Sequence, residues 1–194
     1  MQAFQNYLLV GFWLLFSFNT PPKNNYTVFT DQKTVPIAQL IVPGKSIGQT
    51  KLQEDAVLVY KRLGRPDAGD AAMGKSLATW YAGHRSLGYQ TQVFFSRYMG
   101  GMDDITSRVK QIRVTSPYFK TAEGIGPGST LKQINAFFKV RKTAAFTENK
   151  QRYFVYDTFK GIAFESNAGG KCTGVIIYLL GGRGGFTYLP FHSN

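Results

Sequence analysis

Two stretches of the chain place apolar residues on one face of a helix. In each, the apolar positions fall at i, i+3 and i+7, directly after a residue that favours the helix N-cap. The two stretches match position by position: Asp55 with Thr130, Ala56 with Leu131, Val59 with Ile134, and Leu63 with Phe138. Gly64 and Pro66 end the first helix, and Gln133 completes a capping box with Thr130. The pattern therefore predicts two equivalent short helices.

Each predicted helix is followed by three stretches rich in aromatic and β-branched residues, which indicate strands. They are residues 77–82, 89–97 and 108–115 after the first helix, and 152–156, 161–165 and 172–178 after the second. A hydrophobic content of 43% predicts a packed core, and 15% aromatic residues with 21 Gly favour strands over a helical bundle. We therefore expect an α+β fold: two tandem helix-β-β-β repeats that form a continuous antiparallel sheet, with both helices on one face.

The N-terminal segment has a different pattern from the rest of the chain. Residues 7–18 form an apolar run, and a transmembrane helix needs roughly 20 such residues, so the run is too short to span a membrane. It has the length of a signal-peptide core, although a buried N-terminal helix or strand is the alternative. We predict that residues 1–25 are a signal peptide and linker, followed by a first repeat at 26–120 and a second at 121–194. The protein is then extracytoplasmic, either periplasmic or secreted.

The chain is strongly basic. Its formal net charge is +12, from 23 Lys+Arg and 11 Asp+Glu. Such a charge favours acidic partners: an unknown protein with an acidic surface, or an anionic envelope lipid or polymer. The basic residues are scattered through the chain and form no single run, which is more typical of solvated faces than of a dedicated nucleic-acid surface. No nucleic-acid partner is therefore expected.

Candidate catalytic and cofactor motifs are sparse. The Gly-Lys-Ser sequence at 44–46 lacks the earlier glycine of a P-loop, because that position is Gln39. One Cys and two His exclude a multi-cysteine zinc site and leave little room for a histidine-based one. Cys172 could pair with His84 or His192 as nucleophile and base, but it begins a strand with a buried pattern, and buried thiols are normally inert. We expect neither a cofactor nor a metal.

A glycine-rich turn at 124–129 precedes the second predicted helix. Its backbone N–H groups could bind an anion at the start of that helix. The first helix has no equally glycine-rich turn before it, so a shared anion site is not predicted. We interpret the sequence as a turn and cap that position the second helix.

Strand alternation indicates one candidate binding surface. Residues 92–98 alternate between the two faces of a sheet, which places Phe95 against the helices and Phe94 on the opposite face. Phe94, Tyr98 and Arg113 are therefore the candidate protein-binding residues, because aromatic and arginine side chains dominate interface energies. The alternative is that loops or the segment 181–194 cover this face.

Three short sequences resemble a known family of exported proteins. They are residues 43–48 (PGKSIG), 63–67 (LGRPD) and 124–129 (GIGPGS). Together they are similar to the tandem α/β proteins related to the β-lactamase-inhibitor protein and to the small outer-membrane-assembly lipoproteins (the SmpA/OmlA family). Gln53 stands where the family pattern has a glycine. The resemblance implies an extracytoplasmic, non-enzymatic fold that binds other proteins with its sheet or its loops.

These observations lead to one functional prediction and two alternatives. We predict an exported, non-catalytic protein-binding or envelope-assembly module. The first alternative is an enzyme with an unrecognised active site, using His84 with a turn carboxylate such as Asp70; it requires a pocket with convergent polar groups. The second is a basic protein that binds anionic envelope lipid or polymer, which salt would weaken.

Overall fold

The computed structural model describes residues 34–97 and 105–180. The predicted signal segment, Tyr98 and His192 lie outside these residues. The described part is mostly β structure with two short α-helices, α1 (Ala56–Leu63) and α2 (Leu131–Phe137), which agrees with the predicted α+β class. The strands are β1 (Leu40–Val42), β2 (Ser46–Ile47), β3 (Thr50–Lys51), β4 (Ala68–Ala72), β5 (Lys75–Tyr81), β6 (Gln90–Ser96), β7 (Arg108–Val114), β8 (Lys120–Thr121), β9 (Arg141–Glu148), β10 (Gln151–Asp157), β11 (Ile162–Asn167) and β12 (Cys172–Tyr178).

The strands form two sheets. The larger is antiparallel and has eight strands in the order β4-β5-β6-β7-β12-β11-β10-β9. The smaller has four strands in the order β3-β2-β1-β8, and its β1–β8 pair is parallel. The sequence pattern predicted the six inner strands of the larger sheet and missed its outermost strands, β4 and β9. The sequence pattern did not predict the four-stranded sheet, whose strands are only two or three residues long.

Both helices begin at the predicted caps. The Asp55 side chain accepts a hydrogen bond from the Val57 N–H at 2.9 Å, and α1 ends at Gly64, which has a φ of 77°. Thr130 and Gln133 form the predicted capping box of α2. Each cap also bridges to the large sheet, Asp55 to Arg108 and Thr130 to Lys171. These bridges attach α1 to the start of β7 and α2 to the residue before β12.

The main core lies between the helices and the large sheet. Val59 of α1 and Ile134 of α2 are completely buried in one apolar cluster that also contains Phe95 and Phe164. Next to them, Tyr60 stacks on Phe95 with ring centroids 5.4 Å apart, and Phe138 packs on Phe164 at 5.3 Å. Burial of these side chains supplies the main driving force that holds helices and sheet together. Among the described residues, no helix is both long enough and apolar enough to cross a membrane.

Candidate functional site

The outer face of the large sheet, defined as the face away from the main core, carries Phe94 and Arg113. Strand pairing of Phe94 with Gln111, and of Gln92 with Arg113, puts these side chains on one face. Phe94 is 5% exposed, and it packs with Ile176 in a small apolar cluster separate from the main core. Arg113 is also 5% exposed. The expectation that these two residues are open to a partner is therefore wrong, because both side chains are buried.

Arg113 is the centre of a buried polar network. Its Nε lies 3.0 Å from Glu165 Oε1, and its Nη2 lies 2.7 Å from Glu165 Oε2. Its Nη1 donates to Gln90 Oε1 at 3.0 Å and to Gln92 Oε1 at 2.9 Å. Glu165 is fully buried, so the two charges neutralise each other inside the protein. Arg113 therefore joins β6, β7 and β11, and its donors are already occupied.

A glycine makes room for this ion pair. Gly174 of β12 lies between β7 and β11, and it pairs directly with Glu165. A Cβ atom added at Gly174 would overlap Glu165 Oε2. The absence of a side chain at this position lets the Arg113 and Glu165 side chains meet across β12.

A cavity of about 280 Å³ opens on the same outer face, over β7 and the strands β9 to β12. Its walls are mostly apolar and include Val155, Ala163 and Ile176. Four polar side chains also line it: Gln111, Thr143, Asp157 and Tyr178. We call this space the outer-face cavity.

Asp157 is almost completely buried beside this cavity. Its Oδ1 accepts a hydrogen bond from the Tyr178 hydroxyl at 2.6 Å and another from the Phe159 N–H at 2.8 Å. Burial and the neighbouring Asp157 carboxylate raise the pKa of Tyr178, so that its hydroxyl remains protonated and donates. Asp157 lies one residue beyond the strand predicted at 152–156. The available signal was alternation, because Asp157 is two residues beyond Val155 and so shares its face.

The His84 side chain contacts a different carboxylate from the one predicted. His84 Nδ1 lies 2.7 Å from Asp67 Oδ1, whereas Asp70 is exposed on β4 and accepts from the Ala71 N–H. The Tyr81 N–H, and then His84, hold the pKa of Asp67 below its usual value. His84 therefore pairs with the carboxylate of Asp67 and not with that of Asp70, the example given above. The imidazole of His84 is 80% exposed, so the pair does not lie in a closed active-site pocket.

The Cys172 side chain is buried, and the glycine turns at 44–46 and 124–129 use backbone N–H groups in hydrogen bonds within the protein. Burial raises the pKa of the Cys172 thiol to about 12, which keeps it protonated and unreactive. In the turn at 124–129, the Gly126 N–H donates to Ser129 Oγ at 3.1 Å and the Gly128 N–H to Cys172 O at 2.8 Å. The Gly44 N–H donates to the Gly161 carbonyl at 3.0 Å. Within residues 34–97 and 105–180, no group of three or more His, Cys, Asp and Glu side chains could hold a metal ion.

The outermost strand β9 is the most exposed basic part of the sheet. In the described sheet it pairs with β10 alone, and it is the last strand on that side. Basic side chains stack on aromatic rings beside this edge: Arg141 lies 4.7 Å from the Phe159 centroid and Lys142 lies 4.9 Å from the Phe154 centroid. These contacts hold the positive charges in place while leaving the side chains exposed.

Comparison with protein-family models, with curated proteins and with solved structures finds no match for this chain.

Proposed function

We propose that the protein is a non-catalytic protein-binding or envelope-assembly module, and that it binds its partner along β9. The observation that carries this proposal is the position of the eight-residue strand Arg141–Glu148, which is the last strand of the described sheet and pairs there with β10 alone. An edge strand presents unpaired N–H and C=O groups that can accept an additional strand. Extended protein segments bind sheets in this way, with main-chain hydrogen bonds supplying affinity and side chains supplying specificity.

The charge around β9 indicates an acidic partner. Six basic residues on or near β9 and β10 are exposed: Lys139, Arg141, Lys142, Lys150, Arg152 and Lys160. Complementary charge accelerates association and selects among partners. The same charges also protect the edge against pairing between two copies of the chain, because lysines and arginines repel one another when two such edges meet. An acidic extended segment meets both conditions.

We also propose that the chain is a tandem duplication related to the β-lactamase-inhibitor-protein-like and SmpA/OmlA proteins, with both helices on one face. The sheet order is symmetric about the β7–β12 pair, and each helix cap bridges to the start of one of these strands. Gln53 and Gly128, each two residues before a helix cap, have φ values of 66° and 92°. Gln53, which replaces the family's glycine, thus adopts a conformation that favours glycine. This correspondence supports the resemblance, which in turn implies protein binding outside the cytoplasm.

Export remains part of the proposal. Residues 1–25 are proposed to be a signal peptide and linker, and this segment lies outside the described residues. Intact-mass measurement of the protein exported by its native host tests it. A mature mass that lacks the apolar run at 7–18 supports export with cleavage, and a mass that includes this run contradicts it.

Binding along β9 is tested with charge reversals of equal size at two sites. Arg141→Glu with Lys142→Glu changes the edge, and Lys61→Glu with Arg65→Glu changes an exposed region at the end of α1 by the same net charge. Each variant and the unaltered mature chain are used to capture partners from envelope extract. A partner retained by the α1 variant and lost from the β9 variant supports the proposal. A partner retained equally by both variants contradicts it.

A second candidate, binding to anionic envelope lipid or polymer, is favoured by the exposed basic residues themselves. Sedimentation with vesicles containing anionic lipid tests it, with neutral vesicles as the control. Equal loss of vesicle binding in the β9 and α1 variants, together with sensitivity to salt, indicates that net charge governs the interaction.

A further inference from the structure

The outer-face cavity contains a buried negative charge that no described cation neutralises. Asp157 is 5% exposed, and none of the ion pairs among the described residues involves it. Both hydrogen bonds that it accepts fall on Oδ1, from Tyr178 and Phe159, and no described residue donates to Oδ2. Buried carboxylates in proteins are normally paired with a cation or fully hydrogen-bonded. Asp157 therefore has an oxygen available to a ligand.

The basic residue opposite Asp157 is held away from it. Arg141 is the direct strand partner of Asp157, yet its guanidinium carbon lies over the Phe159 ring. Phe159 has a φ of 58°, a backbone conformation that an aromatic residue rarely adopts. Its ring lines the cavity, and the residue is 46% exposed. Phe159 thus forms an aromatic wall of the cavity next to the carboxylate.

We propose that the outer-face cavity binds a small organic cation, an apolar body that carries a protonated amine. The apolar body packs against Val155, Ala163 and Ile176, and the ammonium group donates to Asp157 Oδ2. The aromatic wall adds apolar contact area, since Arg141 already lies over the Phe159 ring. The volume of about 280 Å³ is close to the lower limit of known ligand sites, which restricts the ligand to a small molecule. The cavity shares Thr143 and Ala144 with β9, but the proposal does not depend on a protein partner binding along that strand.

The proposal is tested with three probes of similar shape and different charge: 2-phenylethylamine, 2-phenylethanol and 3-phenylpropionate. Each is titrated into the full chain at neutral pH and followed by protein NMR shifts or calorimetry. We expect the amine to bind at least about tenfold more tightly than the alcohol, since a charge-assisted hydrogen bond replaces a neutral one. The carboxylate probe binds most weakly, because it is repelled by Asp157.

Two variants show where the amine binds. Asp157→Asn retains an acceptor for Tyr178 and Phe159 and removes the charge, so it should abolish the preference for the amine over the alcohol. Ala144→Leu fills part of the cavity and should weaken amine and alcohol together. Ala145→Leu is the matched control, because the adjacent residue on β9 faces the opposite side of the sheet and is exposed.

Three results would overturn the proposal. The first is an amine that binds no more tightly than the alcohol to the unaltered chain. The second is a preference for the amine that survives Asp157→Asn in a variant with an unchanged thermal transition. The third is equal weakening by Ala144→Leu and Ala145→Leu, which would place the probe outside the cavity.

Discussion

Removing one member of the buried Arg113–Glu165 pair should destabilise the protein far more than removing both. Arg113→Met leaves the Glu165 carboxylate in the core without its partner, and Glu165→Met leaves the Arg113 guanidinium there. Uncompensated buried charges of this kind cost about 3–5 kcal/mol of unfolding free energy. Since small domains have only about 5–15 kcal/mol in total, each single variant is expected to be marginally stable.

The double variant tests the reason for that loss. Arg113→Met with Glu165→Met buries no charge, and methionine is unbranched and adapts to the space that both side chains leave. It still removes the hydrogen bonds that Arg113 donates to Gln90 and Gln92. Their loss costs about 1–3 kcal/mol, so the double variant should be more stable than either single variant.

A second ion pair in the same protein provides a matched control. Arg62 Nη1 and Nη2 donate to Glu54 Oε1 and Oε2 at 2.8 and 2.7 Å, which is also a two-point contact. These side chains are 26% and 12% exposed, compared with 6% and 0% for Arg113 and Glu165. Because solvent screens the Arg62–Glu54 pair, Arg62→Met should cost only about 0.2–1 kcal/mol.

Urea denaturation followed by circular dichroism measures all of these variants, with the m-value confirming that each unfolds in one cooperative step. The reasoning is refuted if Arg113→Met or Glu165→Met costs no more than Arg62→Met. It is also refuted if the two buried single-variant losses add up in the double variant, since additivity would mean that the charges are not coupled.

Three further predictions follow from burial and from close contacts. Ile134→Ala should cost about 2–5 kcal/mol, because a completely buried side chain is replaced by a cavity, and an unchanged denaturant midpoint would place α2 in a different register. Gly174→Ala should lower the free energy of unfolding by about 1–3 kcal/mol, because the new Cβ overlaps Glu165. Gly169→Ala is the control and should be nearly neutral, because its new Cβ meets one side-chain atom at 3.5 Å. Thermal melts compare the two variants. Cys172, with a pKa of about 12, should react with a thiol reagent at pH 8 only after urea unfolds the protein, and rapid native labelling would contradict its burial.

Local signals in the sequence were sufficient for the helices and the inner strands. Asp55 and Thr130 cap their helices with side-chain hydrogen bonds to residues two or three positions later, and Gly64 ends α1 through its own backbone conformation. These roles involve neighbouring residues only, so they could be predicted without knowledge of the tertiary fold. The outer strands β4 and β9 were missed for a physical reason. Their sequences contain mainly alanine and charged residues because most of their side chains face solvent, and exposed strands lack the apolar alternation that indicates a strand.

The candidate sites were harder to predict because they depend on strand order. Alternation placed Phe94 and Arg113 on the outer face, but it gave no information on what covers them. Arg113 meets Glu165 because β12 lies between β7 and β11. That order is a tertiary property, and so is the approach of Asp157 to Tyr178. The two side chains come from strands that the sequence pattern did not place in relation to each other.

The central β7–β12 pair has a consequence for how the chain folds. It joins residues 108–114 to residues 172–178, so the two halves of the large sheet can meet only after most of the chain has been synthesised. Until then β7 is an open edge of a partly formed sheet, exposed to pairing with other molecules. When β7 pairs with β12, Arg113 also meets Glu165. The two charges are therefore buried in the same step in which distant parts of the chain come together. We therefore expect folding to be slow and limited by this step, and fragments that end before β12 to aggregate.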